Sequence, residues 1–192
     1  MSKRLFVGTL LTHEQANLLS RLRNELEPQL SKWWHCKLRW VKPEKLHTTW
    51  LFMGNCDKHA EIAAANKLQE LAKSLHSTEL HYDSLKLFPK ASHPVALVLL
   101  PTTIPEGVQQ IFSAIRKELG EYCEKLEERP FRPHLTLLRF PKDLRETLAW
   151  KEELDLSAYL PMTQKFNNLS LIESHLGQAK DGYEVLADYS LS

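Results

Sequence analysis

Two short segments of this 192-residue chain carry the same side-chain types in the same order. Leu46-His47-Thr48-Thr49-Trp50-Leu51 and Pro133-His134-Leu135-Thr136-Leu137-Leu138 both read His-x-Thr-hydrophobic. Imidazole is the side chain that titrates nearest neutrality, and a hydroxyl beside it can donate to a charged oxygen. Both segments are β-prone, and residues i and i+2 of a strand share a face, so His47 joins Thr49 and His134 joins Thr136. If two lobes related by a pseudo-twofold axis carry the segments, the pairs converge on one cleft with an imidazole on each side of a small ligand. That geometry suits paired acid and base catalysis. The motifs stand nearly half the chain apart, as a duplication of two similar lobes would produce. A lone histidine on a strand is ordinarily packed or solvated; the repeat in a matching setting favours catalysis.

The rest of the composition sets the context for that chemistry. Hydrophobic residues make up 43% and charged residues 26%, which excludes disordered, collagen-like and coiled-coil chains. Lys and Arg number 25 against 24 for Asp and Glu, so no global field draws the chain onto nucleic acid or lipid, and an anionic ligand must be held locally. Cys36, Cys56 and Cys123 form no disulfide framework and no C-x-x-C pair, which fits a reducing cytoplasm. The opening Met1 to Gly8 is too short for a signal-peptide core, so export is not expected. The longest apolar run, residues 95–100, is far below the roughly 20 residues of a spanning helix.

Hydrophobic periodicity predicts the elements that must position the motifs. Residues 3–10 form a strand, and Thr12 caps a helix whose Ala16, Leu18, Leu19, Leu22 and Leu26 recur at helical spacing up to Pro28. Residues 34–41 and 46–53 predict a hairpin or adjacent strands, the second stopped by Gly54-Asn55. Asp57 caps a helix carrying Ile62, Ala65, Leu68, Leu71, Ala72 and Leu75. Strands at 79–88 and 95–100 follow, with Pro89 and Pro94 bracketing their connection. Pro105 opens a helix through Val108, Ile111, Phe112, Ile115 and Leu119 to Gly120. A strand at 133–140, a short helix at 143–150 and a closing pair at 163–176 and 183–189, around Gly177 and Gly182, complete the chain. Antiparallel-looking pairs rather than strict strand-helix-strand alternation favour an α+β sandwich over a doubly wound sheet.

Several flanks accompany the doubled motif: Arg4-Leu5-Phe6-Val7-Gly8, Arg39-Trp40-Val41-Lys42-Pro43, Phe52-Met53-Gly54, Arg132-Pro133 before His134, Arg139 after it, and Leu171-Ile172-Glu173-Ser174-His175-Leu176. Together they give a chain that resembles, over nearly its whole length, the two-histidine phosphoesterases. Within that superfamily it looks like the bacterial and archaeal RNA 2′,3′-cyclic phosphodiesterases once described as 2′-5′ RNA ligases. The resemblance implies an α+β, bilobal fold with residues 1–192 as one domain. Two pseudo-twofold-related lobes would each carry an antiparallel sheet and flanking helices, with the active-site cleft between them. It also implies hydrolysis of RNA 2′,3′-cyclic phosphate ends to 2′-phosphomonoesters without metal or cofactor, by a cytoplasmic, non-membrane monomer. His47 would be the general acid to the ribose 3′ oxygen and His134 the general base for water.

Thr49 and Thr136 can donate to the nonbridging phosphate oxygens. Arg139, five residues after His134, matches an arginine that the family places near phosphate and base, and Phe52 stands five residues after His47 as its counterpart. The two would form a stacking pair around a nucleobase. An odd offset changes faces in a regular strand, so this needs a bulge or strand end. Otherwise Phe52 is core and Arg139 a surface charge. Thr48 departs from the family, which more often carries an aliphatic residue there.

Rival chemistries are weaker in the sequence. Neither motif window, 46–55 or 133–140, contains an Asp or Glu to anchor a hard cation. His35, Cys36, Cys56 and His59 have no standard zinc-ligand spacing. The Trp-rich stretch from Lys32 to Trp40 could stack single-stranded RNA, making the chain a binding module, or could be a Trp-anchored strand. The motifs address only a phosphate, so a 2′-5′ RNA ligase or 2′-5′ phosphodiesterase acting on tRNA or oligonucleotides is the alternative.

Overall fold

The computed structural model describes residues 2–126, 130–141, 148–149, 153–175 and 182–192. β1 (Lys3–Leu10) runs into α1 (His13–Trp33), whose start is fixed by a capping box: the Thr12 hydroxyl accepts from Gln15 N, and Gln15 Oε1 accepts from Thr12 N. The helix does not stop at Pro28 but runs on to Trp33. Burial of Leu26, Leu30 and Trp33 along one stripe outweighs the backbone hydrogen bond that proline cannot make. β2 (Arg39–Trp40) and a 3₁₀ turn (Pro43–Lys45) precede β3 (His47–Cys56). Asp57 caps α2 (Lys58–Ser74), accepting from Ala60 N at 2.8 Å. β4 (Thr78–Tyr82), β5 (Ser84–Phe88), β6 (Ala96–Leu100) and α3 (Glu106–Leu119) follow, then β7 (Leu135–Arg139), β8 (Met162–Phe166), β9 (Asn168–Ser174) and β10 (Tyr183–Ser190).

All strand pairs are antiparallel and make two four-stranded sheets, ordered β10-β9-β1-β3 and β2-β7-β6-β5, with β4 and β8 as a separate ribbon. This is the expected α+β class with an antiparallel sheet for each motif: His47 opens β3 in the first sheet and His134 directly precedes β7 in the second. The lobes are not successive halves of the chain. β1, β3, β9 and β10 bring both ends into the first sheet, while the second takes the middle of the chain plus β2.

The expected pairing of 34–41 with 46–53 does not form, because β2 pairs with β7 and β3 with β1. The stretch 79–88 divides at Asp83, whose carboxylate accepts from Thr102 N and Oγ1 and so turns the chain from ribbon to sheet. The stretch 163–176 divides likewise: β8 joins the ribbon, and β9 pairs with β10 as the closing pair. The predicted helix at 143–150 and Gly177 lie outside the described residues, apart from Leu148 and Ala149, which lie in no helix.

One core links helices and sheets through Leu5, Val7, Leu22, Leu26, Met53, Leu97, Leu99, Ile111 and Leu169. Trp33 and Trp34 belong to it, and Trp34 Nε1 donates to Ala149 O at 3.0 Å with its ring edge-on to Phe140. Trp40 is half-buried beneath the Arg23 guanidinium. These tryptophans anchor the fold rather than present a stacking surface. Among the described residues no helix is long and apolar enough to cross a membrane.

Candidate active site

Both motif strands are bulged at the same point. Against β1, Thr49 pairs with Gly8 and Leu51 with Val7, so Trp50 is left over; against β6, Thr136 pairs with Val98 and Leu138 with Leu97, so Leu137 is left over. The extra residue reverses the alternation of faces beyond it. Burial follows suit: Trp50 and Leu51 are buried in succession, as are Leu137 and Leu138, and Phe52 and Arg139 then emerge exposed. The bulge thus returns Phe52 to the face of His47 and Thr49, and Arg139 to the face of His134 and Thr136, across an odd sequence offset.

The two imidazoles are oriented alike. His47 Nδ1 lies 2.7 Å from Lys45 O, and His134 Nδ1 lies 2.8 Å from Arg132 O. A carbonyl oxygen can only accept, so each Nδ1 carries a proton that it donates, and Nε2 is left for chemistry. The His47 ring packs against Phe6 at 4.9 Å between centroids and edge-on to Tyr183 at 5.1 Å. His134 stacks on Phe88 at 5.0 Å and 16°. Gly8 gives the strand a close approach here, since a Cβ would lie tightly at 3.0 Å from Thr48 O and 3.1 Å from the Phe6 ring.

Burial lowers the proton affinity of both histidines. His47 is brought down to about 4, chiefly by desolvation, against the raising effect of its bond to Lys45 O; the positive charges of Arg139 and His134 add to the depression. His134 is lowered by burial and by Arg139, again against a raising backbone hydrogen bond. The Arg139 charge therefore reaches both imidazoles, and that of His134 reaches His47, so the two motifs lie within electrostatic range of one another.

Phe52 is 45% exposed, and the Arg4 guanidinium lies 4.9 Å from its ring centroid. Arg4 stands in the opening flank of the sequence, but nothing in its spacing announced that contact. Thr48, facing away from the site, is fully buried and bonded at 2.6 Å to both Tyr82 OH and Gln164 Oε1. Gln164 Nε2 in turn donates to Thr9 O, and Trp50 Nε1 to Thr9 Oγ1. A buried polar network on the core side thus fixes the strand that presents His47 and Thr49.

Among the described residues no three His, Cys, Asp or Glu side chains gather as ligands for an ion. The Cys56 thiol is buried and raised to about 11, chiefly by desolvation, the character of a structural rather than a metal-binding sulfur.

Comparison with known proteins gives the same lineage as the doubled motif. Residues 11–178 match the profile of the 2′-5′ RNA ligase superfamily. The RNA 2′,3′-cyclic phosphodiesterase of Aquifex aeolicus (strain VF5) is 25% identical over 196 residues, covering 98% of this chain and 97% of that protein. The RNA 2′,3′-cyclic phosphodiesterase of Bacillus subtilis (strain 168) is 23% identical over 159 residues, covering 80% and 81%. Among solved structures, TT0787 of Thermus thermophilus superposes with a TM-score of 0.77 at 21% identity over 98% of this chain and 97% of that one. E. coli LigT complexed with 3′-AMP gives 0.75 at 20% identity over 100% and 99%. The duplicated His-x-Thr strands, the two antiparallel sheets and the profile match place the chain in the 2′-5′ RNA ligase superfamily, the two-histidine phosphoesterases.

Proposed function

We propose that this chain, acting as one domain over residues 1–192, hydrolyses RNA 2′,3′-cyclic phosphate ends to 2′-phosphomonoesters without a metal. The observation that carries this reading is the pair of imidazoles, each held at Nδ1 by the carbonyl two residues earlier and each sharing a face with a threonine. The names of the Aquifex and Bacillus relatives support the substrate class.

In this mechanism His134 Nε2 takes a proton from water as its oxygen bonds to phosphorus. The bond from phosphorus to O3′ breaks, and His47 Nε2–H protonates the departing oxygen. His134 is left protonated and His47 neutral, and a proton passing through solvent restores the pair. Each proton transfer contributes about 10²–10⁴-fold. Thr49 and Thr136 donate to the nonbridging oxygens, Arg139 offsets their charge, and Phe52, backed by Arg4, offers a stacking face to the base.

The test is product analysis with an RNA ending in a 2′,3′-cyclic phosphate. Release of a 2′-phosphate is expected, while a 3′-phosphate product, or no turnover, would refute the assignment. His47→Ala and His134→Ala should each abolish nearly all activity. Placing sulfur at the 3′ position, a leaving group that needs little protonation, should rescue His47→Ala far better than His134→Ala; equal rescue would overturn the division of roles. Activity should persist in EDTA, because neither motif window supplies a carboxylate. Loss on chelation, restored by a divalent ion, would replace this mechanism by a metal-dependent one.

A further inference from the structure

The face of the second sheet that carries Thr136 and Arg139 continues beyond them in two cross-strand rows. Directly paired residues of antiparallel strands share a face. Thr136, Val98 and Lys86 therefore form one row, and Arg39, Arg139, Ala96 and Phe88 the next. In the second row two guanidinium side chains leave the sheet side by side, with Cβ atoms about 5 Å apart. Both residues are exposed. Arg39 Nη2 donates to Phe140 O at 3.4 Å, and neither arginine has a carboxylate partner among the described residues.

Like charges directly opposite each other cost stability in a sheet, and an anion lying between them relieves that cost. In the proposed function Arg139, on the face of Thr136 and His134, serves the terminal phosphate. Arg39 lies one strand further out, on the edge of the sheet, where a chain can leave into solvent. A cyclic mononucleotide has no second phosphate to offer it. The end of an RNA does, because the next phosphodiester is attached to O5′ of the same ribose.

We propose that Arg39, beside Arg139, seats the phosphodiester immediately 5′ of the terminal nucleotide, so that the site takes an oligonucleotide end in preference to a cyclic mononucleotide. This rests on the cyclic-phosphodiesterase reading above. The guanidinium supplies two parallel donors to the nonbridging oxygens of that phosphodiester.

The test compares kcat/KM for three substrates: 2′,3′-cyclic AMP, the dinucleotide ApA ending in a 2′,3′-cyclic phosphate, and the same dinucleotide with a neutral methylphosphonate as its internal link. The protein should favour the natural dinucleotide over both others by about tenfold, the size of one charge-assisted hydrogen-bonded contact. Arg39→Gln should shrink that preference to within about twofold, mainly through KM, and should add nothing when the methylphosphonate has already removed the charge. Lys86→Gln, in the neighbouring row, should keep the preference. Equal rates on the charged and neutral dinucleotides, an equal loss on all three substrates in Arg39→Gln, or collapse of the preference in Lys86→Gln would each overturn the seat while leaving the parent activity standing. No turnover of any of the three would overturn that activity and the seat with it.

Discussion

At His47, burial acts on catalysis and on stability through the same proton. The ring lies between Phe6 and Tyr183, and its folded-state pKa of about 4 is below the ordinary histidine value of about 6.5. As pH falls through that interval the unfolded chain takes up the proton first. The stability associated with neutral His47 is therefore complete above about pH 6.5 and is lost toward pH 4, by roughly 3 kcal/mol. His47→Gln cannot titrate, so its urea midpoint should drop less than that of the natural chain between pH 7 and pH 4.5; parallel losses would mean that this imidazole is not held neutral. Thr49→Ala and Thr136→Ala should slow turnover less than the histidine variants, each removing one hydrogen bond rather than a proton carrier, and the reverse order in rate assays would contradict their roles. The histidines and threonines were legible because their types recur at one spacing. Their supports were not: the acceptors are backbone carbonyls of Lys45 and Arg132, and the ring partners Phe6, Phe88 and Tyr183 come from three separate strands.

At the scale of the strand, the device that matters is the bulge after each threonine. The sequence carries the odd offset from His47 to Phe52 and from His134 to Arg139, but whether an odd offset means a bulge or a change of face depends on the neighbouring strand, which local periodicity does not report. The same limit explains the misassigned partner of residues 34–41: β2 and β3 are close in sequence yet pair in different sheets. Among the described residues helices fared better, since capping and a 3.6-residue stripe are local; the departures are the continuation past Pro28 and Leu148 and Ala149, which lie in no helix. Behind β3, Thr48, Tyr82 and Gln164 satisfy one another in a site closed to water. Thr48→Val keeps the shape and removes the two 2.6 Å contacts, leaving Tyr82 OH and Gln164 Oε1 with only their own 3.3 Å hydrogen bond. A stability loss of about 1 kcal/mol in urea unfolding is expected from the weakened network. A neutral or stabilising substitution would show that the network contributes nothing to holding the strand.

Across the whole molecule, two sheets built from interleaved parts of the chain bring two histidines and one arginine into a common electrostatic setting, and the pH profile reads that setting directly. The reaction needs one imidazole protonated and the other neutral, so activity should rise and fall with pH, with apparent values that belong to the coupled pair. In the free protein burial and Arg139 depress both groups, His47 to about 4. The kcat/KM profile, which reports the free protein, should therefore peak below pH 6.5, the ordinary histidine value. A bound phosphodiester brings a negative charge to the imidazoles and favours their protonated forms, so the optimum for kcat should lie at higher pH than that for kcat/KM. Arg139→Gln removes a positive charge felt by both rings; their proton affinities rise, and the kcat/KM optimum should move toward neutrality even as the rate falls. Rate measurements from pH 4 to 9 on a cyclic-phosphate dinucleotide decide the matter. A kcat/KM optimum above pH 7 in the natural chain, or a shift to lower pH in Arg139→Gln, would mean that the charges around the two histidines are arranged differently from this account.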